Sequence, residues 1–352
     1  MIIYVESTSS TIWLPLYSIN GNVDNFYIGL AILELISYCI TALLILKTCI
    51  IVFKSKNFHE NMNILFIGLI IQWFEAFVCK VLVMPYQVGF LQITENSSNV
   101  YITWWTADTQ NMIDVPNFFT IFPLFLPGLL IWHYVYSMFI GVTCVSIERV
   151  CATYFIRDYE RTPRTYIGVG LLFSVHCISF PFAYFMVNNR IPFIIADSLC
   201  IICVVFVCVI YFTLWFINIQ LGKRFSTPGT YRLAQQFQVK ENIRHIMLAR
   251  NIICCATFFV AIACGLLITI VLDLLPIWLK NPVAHCIENC IFLNPLLICS
   301  VAIISVPSWK KEFIEGIPFL KKIRNEPKNS QSVLNPEDET REYFNQLRNA
   351  WL

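Results

Sequence analysis

Seven long apolar runs are spaced along the chain, near residues 28–53, 62–84, 119–147, 166–187, 194–219, 249–272 and 283–306. A helix rises about 1.5 Å per residue and the hydrocarbon core of a bilayer is about 30 Å thick, so about 20 mostly apolar residues cross it. Every run meets that length, and the pattern predicts an all-α membrane protein built as a seven-transmembrane helix bundle. An odd number of crossings puts the two termini on opposite faces. After the last run, Trp309, Phe313, Ile317 and Leu320 fall on one helical face flanked by Lys310, Lys311, Lys321 and Lys322. That spacing predicts a short amphipathic helix lying in the membrane interface, interrupted by Gly316 and Pro318.

The polar gaps fix an orientation. Segments 1–27 and 85–118 contain neither Lys nor Arg, gap 188–193 holds only Arg190, and gap 273–282 only Lys280. The alternate gaps are basic: Lys54 and Lys56; Arg149, Arg157, Arg161 and Arg164; then Lys223, Arg224, Arg232, Lys240, Arg244 and Arg250, followed by a Lys- and Arg-rich tail. Basic loops stay cytoplasmic. The expected organisation is an extracellular segment 1–27, a bundle over 28–306 and a cytoplasmic tail 307–352. Residues 1–27 lack the basic start and apolar core of a cleavable signal, so the first run is expected to act as an uncleaved anchor.

Composition agrees with burial in lipid: 57% of residues are hydrophobic and 13% charged, against about a quarter charged in soluble domains. The 15 Cys show no metal-ligand spacing; Cys200-x-x-Cys203 lies within an apolar run and reads as small packing residues. A disulfide from Cys79 to Cys286 or Cys290 is an open alternative. Asn96-Ser97-Ser98 is a glycosylation sequon in a gap expected outside. Hydrolase, nucleotide-loop and zinc-protease motifs are absent, so catalysis is not expected, nor is a cofactor, a metal or a nucleic-acid partner.

The remaining candidates are polar groups placed where they are costly. Glu148-Arg149 closes the third run at the cytoplasmic boundary. An Arg held by its neighbouring carboxylate and released when helices move is a two-state element; an Arg reaching lipid phosphates is the blander reading. Asn294-Pro295 lies inside the seventh run, where Pro frees a carbonyl one turn earlier and Asn can satisfy it, giving a hinge or a fixed kink. Glu34 and Glu75 fall at nearly one depth on the first two runs, with Lys80 and His133 as partners for them. These groups read as the floor of a ligand pocket or as interhelical bonds that fix the bundle. His176 reads as a packing residue. Asp197, Asp273, His285 and Glu288 lie near the outer ends of their runs, and Trp104, Trp105 and Asp108 in the long outer gap. A crevice between helix tops is the default ligand site.

Three blocks carry a resemblance: Ile147-Glu148-Arg149-Val150-Cys151-Ala152-Thr153-Tyr154-Phe155 with Asp158-Tyr159-Glu160; Gln236-Phe237-Gln238-Val239-Lys240-Glu241-Asn242; and Asn294-Pro295 with Val306-Pro307-Ser308-Trp309-Lys310-Lys311-Glu312-Phe313. With Trp13-Leu14-Pro15 they resemble the nematode chemoreceptors of serpentine receptor class epsilon, the Sre family of seven-helix G-protein-coupled receptors. The resemblance implies a plasma-membrane receptor of sensory cilia that binds a small odorant or pheromone-like ligand outside and activates a heterotrimeric G protein inside. Glu148-Arg149 matches the acid–Arg pair ending the third helix of rhodopsin-like receptors, and Asn294-Pro295 the Asn-Pro of their last helix. Arg232, Lys240 and Arg244 would then form the docking surface with Arg149, membrane lipid being the other partner of such basic loops. The chain departs from the rhodopsin-like pattern at Ile298, where an aromatic is expected, in lacking a mid-membrane Pro in the sixth run, and in lacking a Cys pair tying the third run to the gap after the fourth. A seven-span channel or small-solute transporter is the competing class, against which the absence of internal repeats weighs; a ligand-free scaffold is a third.

Overall fold

The computed structural model describes residues 1–15, 19, 23–55, 59–93, 112–155, 164–225 and 274–316, with isolated positions between 239 and 269. It divides into residues 1–310 and 311–352. Among the described residues, five helices are long and apolar enough to cross a membrane: span one Asn25–Lys54, span two Glu60–Val88, span three Phe118–Tyr154, span four Thr165–Val187 and span five Ser198–Lys223. Span seven is a bent pair, Trp278–Phe292 with Asn294–Ser305, whose axes differ by 46°. Most of the predicted sixth run, 249–272, lies outside the described residues.

Helix starts follow from local chemistry. Asp24 accepts a hydrogen bond from Phe26 N–H (2.9 Å) before span one, and Asn117 one from Thr120 N–H (3.1 Å) before span three. Each satisfies one of the N–H groups a helix start leaves open. Span two ends at Gly89, whose φ of 89° is open to glycine at little cost. Outward-facing apolar residues such as Leu43, Phe53, Phe173, Ile202 and Phe212 are more than half exposed. Helices apolar on every side belong in lipid.

Span three is the central element, packed against spans two, four and five. At 37 residues it is far longer than a crossing requires. Its first turns pack against something the sequence did not announce. Residues 1–15 fold into strands β1 (Ile2–Val5) and β2 (Ser10–Trp13), and β1 also pairs in parallel with β3 (Ile113–Val115), giving the order β2-β1-β3. This small sheet is buried into the bundle: Ile3, Val5, Trp13 and Leu14 are fully enclosed and share one core with Val83, Leu124, Trp132 and Met186. Trp132 Nε1–H donates to the Trp13 carbonyl (2.9 Å), their rings meeting edge-on at 5.0 Å. Gly128 leaves the room: a Cβ there would lie 2.6 Å from Leu14 Cδ2.

At the opposite end spans two and four cross closely. A Cβ on Gly168 would stand 3.0 Å from Asn61 Cα and 3.1 Å from its carbonyl oxygen, so a larger residue there has to push the facing backbone away by a few tenths of an ångström. Small residues are the usual means of close helix contact in lipid. The helix after span seven, Pro307–Glu315, is short and stops before Gly316, the first of the two interruptions expected; residues 317–320 lie outside the described residues. Its Trp309 is buried against Phe66 and donates to Ser55 Oγ (3.0 Å).

Gly168→Leu is expected to cost about 1–3 kcal/mol by overpacking, whereas Gly170→Leu, where a Cβ meets nothing within 4 Å, should be neutral. Thermal unfolding midpoints in detergent check this, and equal midpoints for the two variants would rule out the close crossing.

Candidate functional site

Two polar clusters sit inside the bundle. The first joins spans one, two and seven near the sheet. Lys80 is fully buried, its Nζ 2.9 Å from Glu288 Oε2, 2.7 Å from Gln87 Oε1 and 3.6 Å from Glu34 Oε2. Gln87 Nε2 donates to both oxygens of Glu288 (3.0 and 2.8 Å). Asn289 Nδ2 donates to Glu34 Oε1 (2.5 Å) and Tyr38 O–H to Asn289 Oδ1 (2.7 Å). His285 Nδ1 stands 3.4 Å from Glu34 Oε1, its ring stacked on Tyr27 at 5.9 Å. The Phe292 ring lies 5.4 Å from the ammonium. Two carboxylates thus meet one ammonium, with an imidazole beside one of them. The Met1 amine, outside the spans, donates to the Leu14 carbonyl (2.7 Å). Burial pushes its pKa well below the ordinary value, and the charge of Glu288 opposes that.

The second cluster lies between spans two, three and four. His133 Nδ1 is 2.8 Å from Glu75 Oε1 and 3.5 Å from Gln72 Nε2, and its Nε2 is 3.3 Å from His176 Nδ1. Lys80 and His133, named from the sequence as partners for Glu34 and Glu75, meet them: Lys80 stands beside Glu34 and His133 beside Glu75. Glu34 turns toward span seven and Glu75 toward span three. His176, expected only to pack, belongs to this cluster.

The Asn294-Pro295 pair stands at the break in span seven. Pro295 has no N–H for the Ile291 carbonyl, and Asn294 Nδ2 donates to that oxygen instead (3.0 Å). The next free carbonyl, Phe292, accepts from Trp73 Nε1–H (2.6 Å). Tyr134 O–H of span three donates to Asn294 Oδ1 (3.0 Å). The bend is therefore held from spans two and three.

At the far end of span three, Glu148 and Arg149 are fully buried rather than at the helix mouth, and the helix continues to Tyr154. Arg149 Nη2 donates to Glu148 Oε1 (2.6 Å) and Nε to Oε2. Adjacent helix residues do not face each other, so the guanidinium folds back to its neighbour. Thr153 O–H donates to the Arg149 carbonyl (2.9 Å), and Asn218 Nδ2 of span five approaches Thr153 Oγ1 (3.3 Å).

Of the other sequence candidates, Arg244 is exposed and helical. Arg232, Lys240, Asp273, Asn96, Trp104, Trp105 and Asp108 lie outside the described residues, as does the side chain of Asp197. Cys79, Cys286 and Cys290 are free; Cys79 is buried and Cys286 exposed, and no disulfide joins them. The residues that sequence reasoning missed are Tyr38, Gln87, Asn289, Trp73 and Tyr134. The signal for three of them was helical spacing: Tyr38 is four residues from Glu34, Asn289 four from His285 and Gln87 seven from Lys80, each on the face of a group already suspected.

Lys80→Met leaves Glu34 and Glu288 buried without their ammonium, which costs about 3–5 kcal/mol. Adding Glu288→Gln should recover part of that loss. Thermal inactivation of the purified variants measures both effects, and a double variant no more stable than the single would show that the pair does not act as a unit.

The whole chain, residues 1–352, matches the family model described as Sre G protein-coupled chemoreceptor. "Serpentine receptor class epsilon-38" of Caenorhabditis elegans is 36% identical, over 99% of this chain and 100% of that protein. "Serpentine receptor class epsilon-37" of the same organism is 33% identical, over 100% and 99%. "Serpentine receptor class epsilon-29", also from C. elegans, is 30% identical, over 99% of each. With full-length matches and a multi-pass helical bundle, the chain belongs to the Sre family of G protein-coupled chemoreceptors.

Proposed function

We propose that this chain binds a small odorant or pheromone-like molecule at the sheet end of its bundle and activates a heterotrimeric G protein at the Arg149 end. The orientation follows the charge bias, with the sheet outside and the basic gaps in the cytoplasm. The plasma membrane, in sensory cilia, is the compartment this role requires.

The observation that carries the reading is the buried Glu148–Arg149 pair. An Arg folded onto its own neighbour has its charge satisfied with no partner present. Exchange of Glu148 for a partner's carboxyl or carbonyl groups would compensate the same charge in a second state. Asn218 and Thr153 connect this end of span three to span five, so outward movement of span five disturbs the neighbourhood of Arg149 first. The Lys80 set at the other end keeps spans one, two and seven together while this occurs. A ligand drives the change only through its greater affinity for the open state. Arg244, with Arg232 and Lys240 of the same basic gap, would supply the positive charge that docks the G protein, and such basic gaps also attract anionic lipid.

Glu148→Gln removes the carboxylate that holds Arg149 and is expected to raise ligand-free nucleotide exchange on the G protein by about fivefold or more. Arg149→Ala should abolish that activity at unchanged surface expression. Reconstituted exchange assays read this directly; a double variant as active as Glu148→Gln alone would sink the proposed switch.

Topology is a separate test. Asn96 should carry glycan and a C-terminal tag should be reached only after permeabilising the cell. A tag accessible from outside would overturn the orientation and with it the G-protein face.

A further inference from the structure

The sheet changes where a ligand can enter. Trp13, Leu14 and Ile12 are enclosed between the ends of spans three and four, and Trp132 is 5% exposed beneath them. Among the described residues, the direct path down the bundle axis at this end is filled by the chain's own N-terminal segment. Beside it lies a crevice of about 220 Å³ between spans three, four and five. Its walls are Tyr136, Phe182, Ile191, Ile195 and Leu199, with Arg190 at its rim. Tyr136 and Phe182 stack at 5.8 Å to form one side. Ile195, on the opposite side, is 59% exposed, so the crevice opens on the flank of the bundle beside the turn that carries Arg190.

The backbone of Arg190 is held by a turn, and its side chain is exposed. Span four ends in a Schellman turn: Arg190 N–H donates to the Phe185 carbonyl (2.9 Å) and Asn189 N–H to Met186 (2.9 Å), with Asn189 at a φ of 48°. Asn189 Nδ2 also donates to Thr11 Oγ1 of β2 (3.1 Å), which ties the turn to the sheet. Pro192 then fixes the start of the next helix. An apolar slot with one guanidinium at its mouth suits a molecule with one anionic head and one aliphatic tail. From Pro192 to Leu199 the helix rises about 10 Å, the reach of a medium-length chain. The volume, about 220 Å³, falls below the range for drug-sized ligands, about 300–1,000 Å³, and so favours a small ligand.

We propose that this crevice is a binding site for single-chain carboxylate amphiphiles, which enter sideways from the membrane with the carboxylate on Arg190. The proposal names the ligand class for the receptor reading and takes its consequence from that reading, but its test needs no G protein. The full-length protein in phosphatidylcholine nanodiscs is titrated with radiolabelled decanoate. Saturable binding is expected. Arg190→Gln should weaken it about tenfold, as loss of a charge-assisted bidentate contact does, while leaving competition by decanol against a bound neutral probe unchanged. Ile195→Trp, at a lipid-exposed wall position that leaves the core intact, should weaken acid and alcohol alike.

Equal decanoate binding by wild type and Arg190→Gln would overturn the proposal, as would non-saturable uptake that Ile195→Trp does not alter. Repeating the titration in phosphatidylserine nanodiscs separates free ligand from lipid headgroup. Binding that falls there for wild type but not for Arg190→Gln would assign the site to an anionic lipid and overturn the free-ligand assignment. Saturable, Arg190-dependent binding without any Arg149-dependent signalling would uphold the site and count against the receptor reading instead.

Discussion

A Lys ammonium enclosed in the apolar bundle governs the arrangement of three helices. Lys80 has no water to retreat to, and removing an ion from water costs several kcal/mol that only close opposite charges and hydrogen bonds repay. Glu288, Gln87 and Glu34 provide these from spans seven, two and one. None of the three helices can rotate or slide far without leaving a charge uncompensated. Tyr38 and Asn289 extend the same constraint by using up the remaining acceptor and donor sites. The hydrophobic effect gives no such direction, since lipid tails and Leu side chains are equally apolar. In this membrane fold, polar groups set the register and apolar contact fills in around it.

The break in span seven lies next to that joint and shares its neighbours. Phe292 supplies the ring beside the Lys80 ammonium and also the carbonyl taken by Trp73. Asn294 then satisfies the carbonyl that Pro295 leaves open and is itself held by Tyr134. The kink is thus fully hydrogen-bonded in the observed state. A change of bend angle has to exchange these bonds together, which makes a discrete alternative more favourable than a graded one.

The spans were legible because lipid imposes one coarse rule, length of apolar run, and the alternation of basic gaps adds a second. The costly polar residues were legible for the same reason: Glu34, Lys80, His133, His285 and Glu288 are conspicuous in apolar sequence. Two of the meetings were legible as well: Lys80 and His133 stood as partners for the two carboxylates, and Lys80 meets Glu34 and His133 meets Glu75. The contact of Lys80 with Glu288 was not, because rotation about each helix axis decides the partner across the bundle, and at 100° per residue a small phase error points a side chain to another neighbour. The N-terminal sheet was hidden for a different reason. β1 pairs with β3 more than 100 residues away, and strands of three or four residues carry too little alternation to be read alone. Uncharged Ile and Trp in residues 1–15 were the available trace, visible only as an absence of Lys and Arg.

The two ion-paired sites differ in what must move to open them. Lys80 is held by residues of three helices, so its release requires those helices to separate while charges lose their partners. Glu148 and Arg149 are neighbours on one helix, so their mutual contact does not itself tie span three to another span. In that sense the Lys80 set is an interhelical joint and the Glu148–Arg149 pair is not. A bundle pivoting about such a joint moves least where the Lys80 set lies and most about 30 Å away across the hydrocarbon. On the receptor reading proposed above, a small change at the crevice beside spans four and five would act near that joint and be amplified at the far ends of the helices. The interhelical charge cluster would then hold the scaffold while the pair on span three responds.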